Sequence, residues 1–172
     1  MANTYTLISN NILSSNKTSV NFTSIPNTYT DLCMKLSVRT DATLTYDFIN
    51  FTFNNASANF SNTYLRGSGS AASSGNNSSQ SFIRIYYSTD GDTATASTFG
   101  NAEIYIPSYT ASQNKPLSAF GVTETNATAA NMAITAGLWS DTSAITSILL
   151  QPINGSYFLT GSSFYLYGIK NS

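Results

Sequence analysis

The chain has 172 residues, sets seven Lys plus Arg against eight Asp plus Glu, and contains no histidine. That length is one domain with enough self-buried surface to fold without a metal or a disulfide, so a single domain over residues 1–172 is expected, with no cofactor. The missing histidine removes His-activated nucleophiles, His general bases and most zinc sites. The cations Lys17, Lys35, Arg39, Arg66, Arg84, Lys115 and Lys170 are scattered, which argues against nucleic acid as a partner. Asn, Ser and Thr make up roughly 40 % of the chain, far above ordinary usage. Interleaved with 11 Tyr and 10 Phe, they suit half-buried strands and the turns between them.

In chain order, Met1-Ala2-Asn3-Thr4 lacks the basic start and apolar core of a signal peptide, so synthesis and retention in a cytoplasm, or release by lysis, is expected. No apolar run reaches membrane-spanning length, and no membrane partner is expected. Period-2 alternation predicts strands at Thr4 to Ser9, Ser19 to Thr23, Leu32 to Arg39, Leu44 to Phe53 and Phe82 to Tyr87. It predicts further strands at Ala102 to Ile106, Leu117 to Thr123, Ile145 to Gln151, Tyr157 to Thr160 and Phe164 to Ile169. About ten short strands with short turns read as an all-β, antiparallel β-sandwich of jelly-roll type.

Four stretches carry finer expectations. In the third strand Leu32, Met34, Leu36 and Val38 alternate with Cys33, Lys35, Ser37 and Arg39, which puts the lone cysteine on the polar face as an inert thiol. In the fourth, the apolar phase shifts by one residue from Leu44, Tyr46 and Phe48 to Ile49, Phe51 and Phe53, predicting a β-bulge. Gly67 to Ser81 has no large apolar side chain and reads as a long mobile loop or an arm ordered by a neighbour. Ala129 to Ser143, with Met132, Ile134, Leu138 and Trp139, reads as a short helix or an irregular loop, Trp139 being a packing anchor.

Chemistry-bearing patterns are sparse. Asp90-Gly91-Asp92 has the spacing of a calcium loop's start but lacks the distal Glu and further ligands, so a plain hairpin turn is expected and no metal. Among Asp31, Asp41, Asp47, Glu103, Glu124 and Asp141, nothing singles out a pair for glycoside hydrolysis, and an enzyme is not expected. Tyr86 and Tyr87, in Ile83-Arg84-Ile85-Tyr86-Tyr87, and Tyr165 and Tyr167, in Phe164-Tyr165-Leu166-Tyr167, are the candidate contact residues. Such rings either pack in core or subunit interface or stack against a sugar. A net charge of −1 leaves little repulsion between copies and favours a homo-oligomer.

Several segments resemble a structural module of tailed-bacteriophage virions, from phages of aquatic and marine bacteria. They are Tyr5-Thr6-Leu7-Ile8-Ser9, Ser24-Ile25-Pro26-Asn27-Thr28-Tyr29-Thr30-Asp31-Leu32 and Thr63-Tyr64-Leu65-Arg66-Gly67. Further on come Glu103-Ile104-Tyr105-Ile106-Pro107-Ser108-Tyr109-Thr110, Ala136-Gly137-Leu138-Trp139 and Gly161-Ser162-Ser163-Phe164-Tyr165-Leu166-Tyr167-Gly168-Ile169. The resemblance implies a virion location and no catalytic residues. It implies a capsid decoration, or cement, protein whose partners are the major capsid protein or tail proteins and copies of itself, a trimer being favoured. The alternative it implies is a tail-fibre or receptor-binding module recognising host-surface glycans.

Overall fold

A computed structural model describes residues 4–126 and 130–170; Met1, Ala2 and Asn3, on which the reading of the N-terminus rests, and Ala129 lie outside them. The described residues form strands β1 (Tyr5–Ile12), β2 (Val20–Phe22), β3 (Asp31–Val38), β4 (Tyr46–Phe53), β5 (Phe60–Gly67) and β6 (Ala72–Gln80). They continue with β7 (Ile83–Asp90), β8 (Gly100–Ile106), β9 (Lys115–Thr123), β10 (Asn131–Trp139), β11 (Ile148–Pro152) and β12 (Ser163–Ile169). The larger sheet has the order β1-β12-β3-β8-β9-β10-β5-β6 and the smaller β2-β11-β4-β7. The protein is an all-β sandwich of antiparallel sheets.

Strands β1, β12, β3 and β8 facing β2, β11, β4 and β7 have the jelly-roll order, the chain passing alternately between the two sheets. Two hairpins are inserted into that frame, β5–β6 between β4 and β7, and β9–β10 between β8 and β11. Both add to the β8 edge, so the larger sheet gains a four-stranded wing, β9-β10-β5-β6. Pleat alternation aims Leu32, Met34, Leu36 and Val38 of β3 into the sandwich, where they meet Ile49, Phe51, Phe53, Ile83, Ile85, Ile148, Leu150, Phe164 and Leu166 in one core. Burial of each such side chain stabilises the fold by about 1.5–3 kcal/mol. Trp139 anchors one end of that core, its ring 5.6 Å from Phe53 and 6.0 Å from Phe60.

The register of β4 against β7 breaks between Asp47 and Ile49, where the apolar phase shift predicts a bulge. The extra residues lie on β7: Tyr86, Tyr87 and Ser88 oppose the single Phe48, and Tyr87 has φ 47°.

Three expectations are corrected. Gly67 to Ser81 is the hairpin closing β5 onto the nine-residue strand β6. The ladder is made by backbone groups and needs no large side chain, and Gly75 gives room for the Tyr64 ring, whose Oη would lie 2.8 Å from a Cβ there. Residues 131–139 of the supposed helix or loop are β10, with its alternation inverted: Ala133, Thr135 and Gly137 face inward while Met132 and Ile134 are 49 % and 54 % exposed. Tyr157 to Thr160 makes only isolated bridges, from Phe158 to Lys17 and Thr40, although Phe158 is wholly buried.

Gly75→Val tests how β6 is held. Displacing the Tyr64 ring is expected to cost about 1–3 kcal/mol and to make residues 72–80 the first site cut in limited proteolysis, where the parent chain resists. Equal resistance in both chains would show that the ring does not hold the strand.

Candidate functional site

Every second residue of the larger sheet points away from the core, and the pairing aligns these residues in rows. One row runs Tyr165, Lys35, Glu103, Phe120, Ile134, Leu65 and Ser74. The next runs Leu7, Tyr167, Cys33, Tyr105, Ser118, Ala136 and Thr63. The outward face therefore has a tyrosine-rich half over the jelly roll and an apolar half over the wing.

In the tyrosine half, Tyr165 and Tyr167 stack with centroids 6.4 Å apart and planes 21° apart, and Tyr5 meets Tyr167 edge-on at 6.3 Å. The Tyr105 hydroxyl donates to Asp31 Oδ2 at 2.6 Å, and that bond, with burial, pushes its pKa up to about 12. The Lys35–Glu103 ion pair joins the two halves, but with both side chains about half exposed it contributes no more than about 1 kcal/mol. Cys33 points to this outward face, as its spacing predicts, yet it is wholly buried between Tyr167 and Tyr105. Burial first, and Glu103 second, push its thiol up to about 11, with Lys35 opposing.

The apolar half consists of Phe120, Met132, Ile134 and Leu65, which are 40 %, 49 %, 54 % and 55 % exposed. Ile134 stands between two hollows. One, of about 190 Å³, lies among Glu103, Tyr105, Ser118 and Phe120; the other, of about 200 Å³, among Leu65, Ala72 and Met132. Small-molecule sites usually exceed about 300 Å³, so hollows of this size suit an inserted side chain.

Of the four candidate tyrosines, Tyr165 and Tyr167 lie on this face and Tyr86 and Tyr87 do not. Tyr86 and Tyr87 are buried under the β5–β6 hairpin, at 6 % and 1 % exposure, which corrects any reading of them as contact residues. Tyr86 stacks on Tyr64 at 3.9 Å, its hydroxyl accepts from Asn77 Nδ2 at 2.9 Å, and Arg66 donates to the Tyr87 hydroxyl. Of these partners, Asn77 comes from the stretch that the sequence reads as a loop, and Tyr64 and Arg66 from β5, where no strand is predicted.

Asp90-Gly91-Asp92 is not a hairpin turn, because β7 and β8 belong to different sheets and residues 91–99 connect them. The carbonyls of this connection face a cation from the chain itself. Arg39 Nη1 donates to Thr95 O and Thr98 O at 2.9 and 3.0 Å, and Nη2 to Asp92 O and Ala94 O, both at 3.0 Å. Asp90 is wholly buried and neither carboxylate oxygen has a hydrogen bond of normal geometry. Burial raises its pKa, while the Thr98 hydroxyl and the Arg39 guanidinium pull it down and Glu124 adds to the rise.

Two other carboxylates, Asp47 and Asp41, tie loops. Asp47 accepts from the backbone N–H groups of Phe48, Asn154 and Gly155, and Asp41 from those of Ser156 and Tyr157. Among the described residues, no three His, Cys, Asp or Glu side chains gather as metal ligands.

The wing's apolar half is the feature that sequence reasoning missed, although its signal is present: Met132 and Ile134 alternate with Ala133, Thr135 and Gly137, a strand period with the large residues outward. No family model and no curated protein matches the chain.

Two measurements probe the buried groups. A thiol held at about 11 against an ordinary 9.0 favours the fold below pH 9 and loses that contribution as pH rises towards 11. Cys33 in the folded chain is therefore expected to resist a disulfide-exchange reagent at about pH 8 and to react fully in denaturant; rapid labelling without denaturant would contradict its burial. For Asp90, a raised pKa means that ionisation opposes folding as pH rises through the folded-state value. The Tm of Asp90→Asn minus that of the parent is expected to increase from about pH 4 to about pH 7; a decrease would show that the ionised carboxylate supports the fold.

Proposed function

We propose that the chain is a non-enzymatic structural protein of a bacteriophage particle, a capsid decoration protein that attaches in many copies through the outward face of its larger sheet. The observation that carries this reading is the character of that face: broad, apolar and aromatic, with a single internal ion pair and hollows of side-chain size. Attachment to a shell needs an extended contact that fixes orientation, and such a face provides it where an enclosed pocket would not. The bacteriophage assignment rests on the resemblance of the segments quoted above, five of which have residues on this face: Leu7, Leu65, Glu103 and Tyr105, Ala136, and Tyr165 and Tyr167. On this reading the chain is made in the host cytoplasm and resides on the virion, with the major capsid protein and further copies of itself as partners.

A specific observation favours a second reading, a tail-fibre or receptor-binding module. Tyr5, Tyr165 and Tyr167 present grouped rings on the tyrosine half, an arrangement that can stack against host-surface sugars.

Deletion of the chain separates the two readings. A bound decoration protein stabilises the assembled shell by mass action, so particles lacking it are expected to lose DNA at lower temperature or lower salt while adsorbing normally. Unchanged particle stability with abolished adsorption would replace decoration by glycan recognition.

A further inference from the structure

The wing half of the outward face has a distinctive shape. Ile134, 54 % exposed, is flanked by two hollows of about 190 and about 200 Å³, so one surface carries both a projecting side chain and the spaces that receive one. A contact across a two-fold axis requires this, because each copy must offer the same knob and the same hole to the other.

Charge selects the same partner. The outward residues of β9, β10, β5 and β6 on this patch, among them Phe120, Met132, Ile134, Leu65, Thr63 and Ser74, include no ionisable group, and Arg66, which lines the hollow beside Leu65 and Met132, is engaged by the Ser73 and Tyr87 hydroxyls. Glu103, at its border, is neutralised by Lys35. Such a surface offers a charged partner nothing to pair with and does not repel its own copy.

Area sets the strength. Four strands at about 4.8 Å spacing and eight residues at about 3.4 Å rise cover about 500 Å² per copy. The total of about 1,000 Å² is near the lower limit for a specific interface.

We propose that the wing half of the larger sheet is a homotypic docking surface, on which a second copy of this chain packs face to face across a two-fold axis, Ile134 of each entering a hollow of the other. This rests on the reading of the outward face as the working surface and assigns its two halves separately. With the axis running along the strands of the wing, the jelly-roll halves extend in opposite directions and their tyrosine faces, left uncovered, point to opposite sides of the dimer, so that one of them can lie against the particle. The building unit is then a dimer rather than the trimer that the sequence favours.

Sedimentation equilibrium of the whole chain tests this, comparing the parent with Ile134→Lys, Leu65→Lys and, as a control, Leu44→Lys. Leu44 is 42 % exposed but precedes β4, outside the wing. The parent and the Leu44 variant are expected to show a concentration-dependent dimer, and the two wing variants to weaken it by about a hundredfold or more, since each buries an unpaired charge. Circular dichroism and Tm identify a variant that fails to fold, and the other wing variant then carries the test. A parent that stays monomeric at its highest soluble concentration, or any oligomer that survives both wing substitutions, overturns the proposal. A monomer that still stabilises particles would leave the decoration reading intact and remove only the homotypic surface.

Discussion

The guanidinium of Arg39 holds together the part of the fold on which the wing is built. It is 8 % exposed and directs both terminal nitrogens to carbonyls of the 91–99 connection. Its backbone N–H donates to Ser162 Oγ and its carbonyl accepts from Leu159 N–H, so one residue joins the end of β3, the connection after β7 and the corner before β12. This connection has little apolar content, and the arginine supplies the order that a core would otherwise give. The bond to Ala94 O is buried and the other three partly so; a buried carbonyl left without its donor costs about 1–3 kcal/mol, which makes Arg39 more than a surface charge. The connection delivers the chain to β8, the strand through which the wing, by way of β9, joins the jelly roll.

The wing's outward apolar character follows from what lies beneath it. Strands β9 and β10 pass over β7 so closely that a Cβ on Gly121 would sit 2.3 Å from Tyr86 O, and one on Gly137 would sit 2.8 Å from Ile83 Cγ2. Where the strands cross β7 small residues stand on the inner side, Gly121, Ala133, Thr135 and Gly137, while Leu117 and Trp139 reach into the core. The strands still need side chains that favour extended backbone, and the larger of these stand on the other side. Tight internal packing and an exposed apolar face are thus two results of one geometric constraint.

This inversion also explains which parts of the molecule were legible in the sequence. Strands whose large residues point inward, such as β3 with Leu32, Met34, Leu36 and Val38, could be read from alternation, and so could the position of the irregularity beside Phe48. Strand β6 could not, because its place is decided by backbone pairing and by the Tyr64 ring over Gly75, neither of which leaves an apolar pattern. Tyr86 and Tyr87 could be recognised as aromatic contacts, but their cover comes from Tyr64, Arg66 and Asn77 across a register that spacing alone does not reveal. Arg39 shows the same limit, since four carbonyls converge on it only after the chain has folded. On the candidate face, Tyr165 and Tyr167 were legible and the patch around Ile134 was not.

The placement of sulfur on the two sides of the larger sheet has a chemical consequence. Cys33 and Met34 are wholly buried, whereas Met132 is 49 % exposed beside Ile134 and Leu65. Among the described residues, an oxidant in the surrounding water therefore meets the Met132 thioether first. Its sulfoxide is polar and chiral, and it would break the continuity of the apolar surface without touching the interior. The wetting of that surface is thus open to chemical change while the sandwich beneath it is shielded.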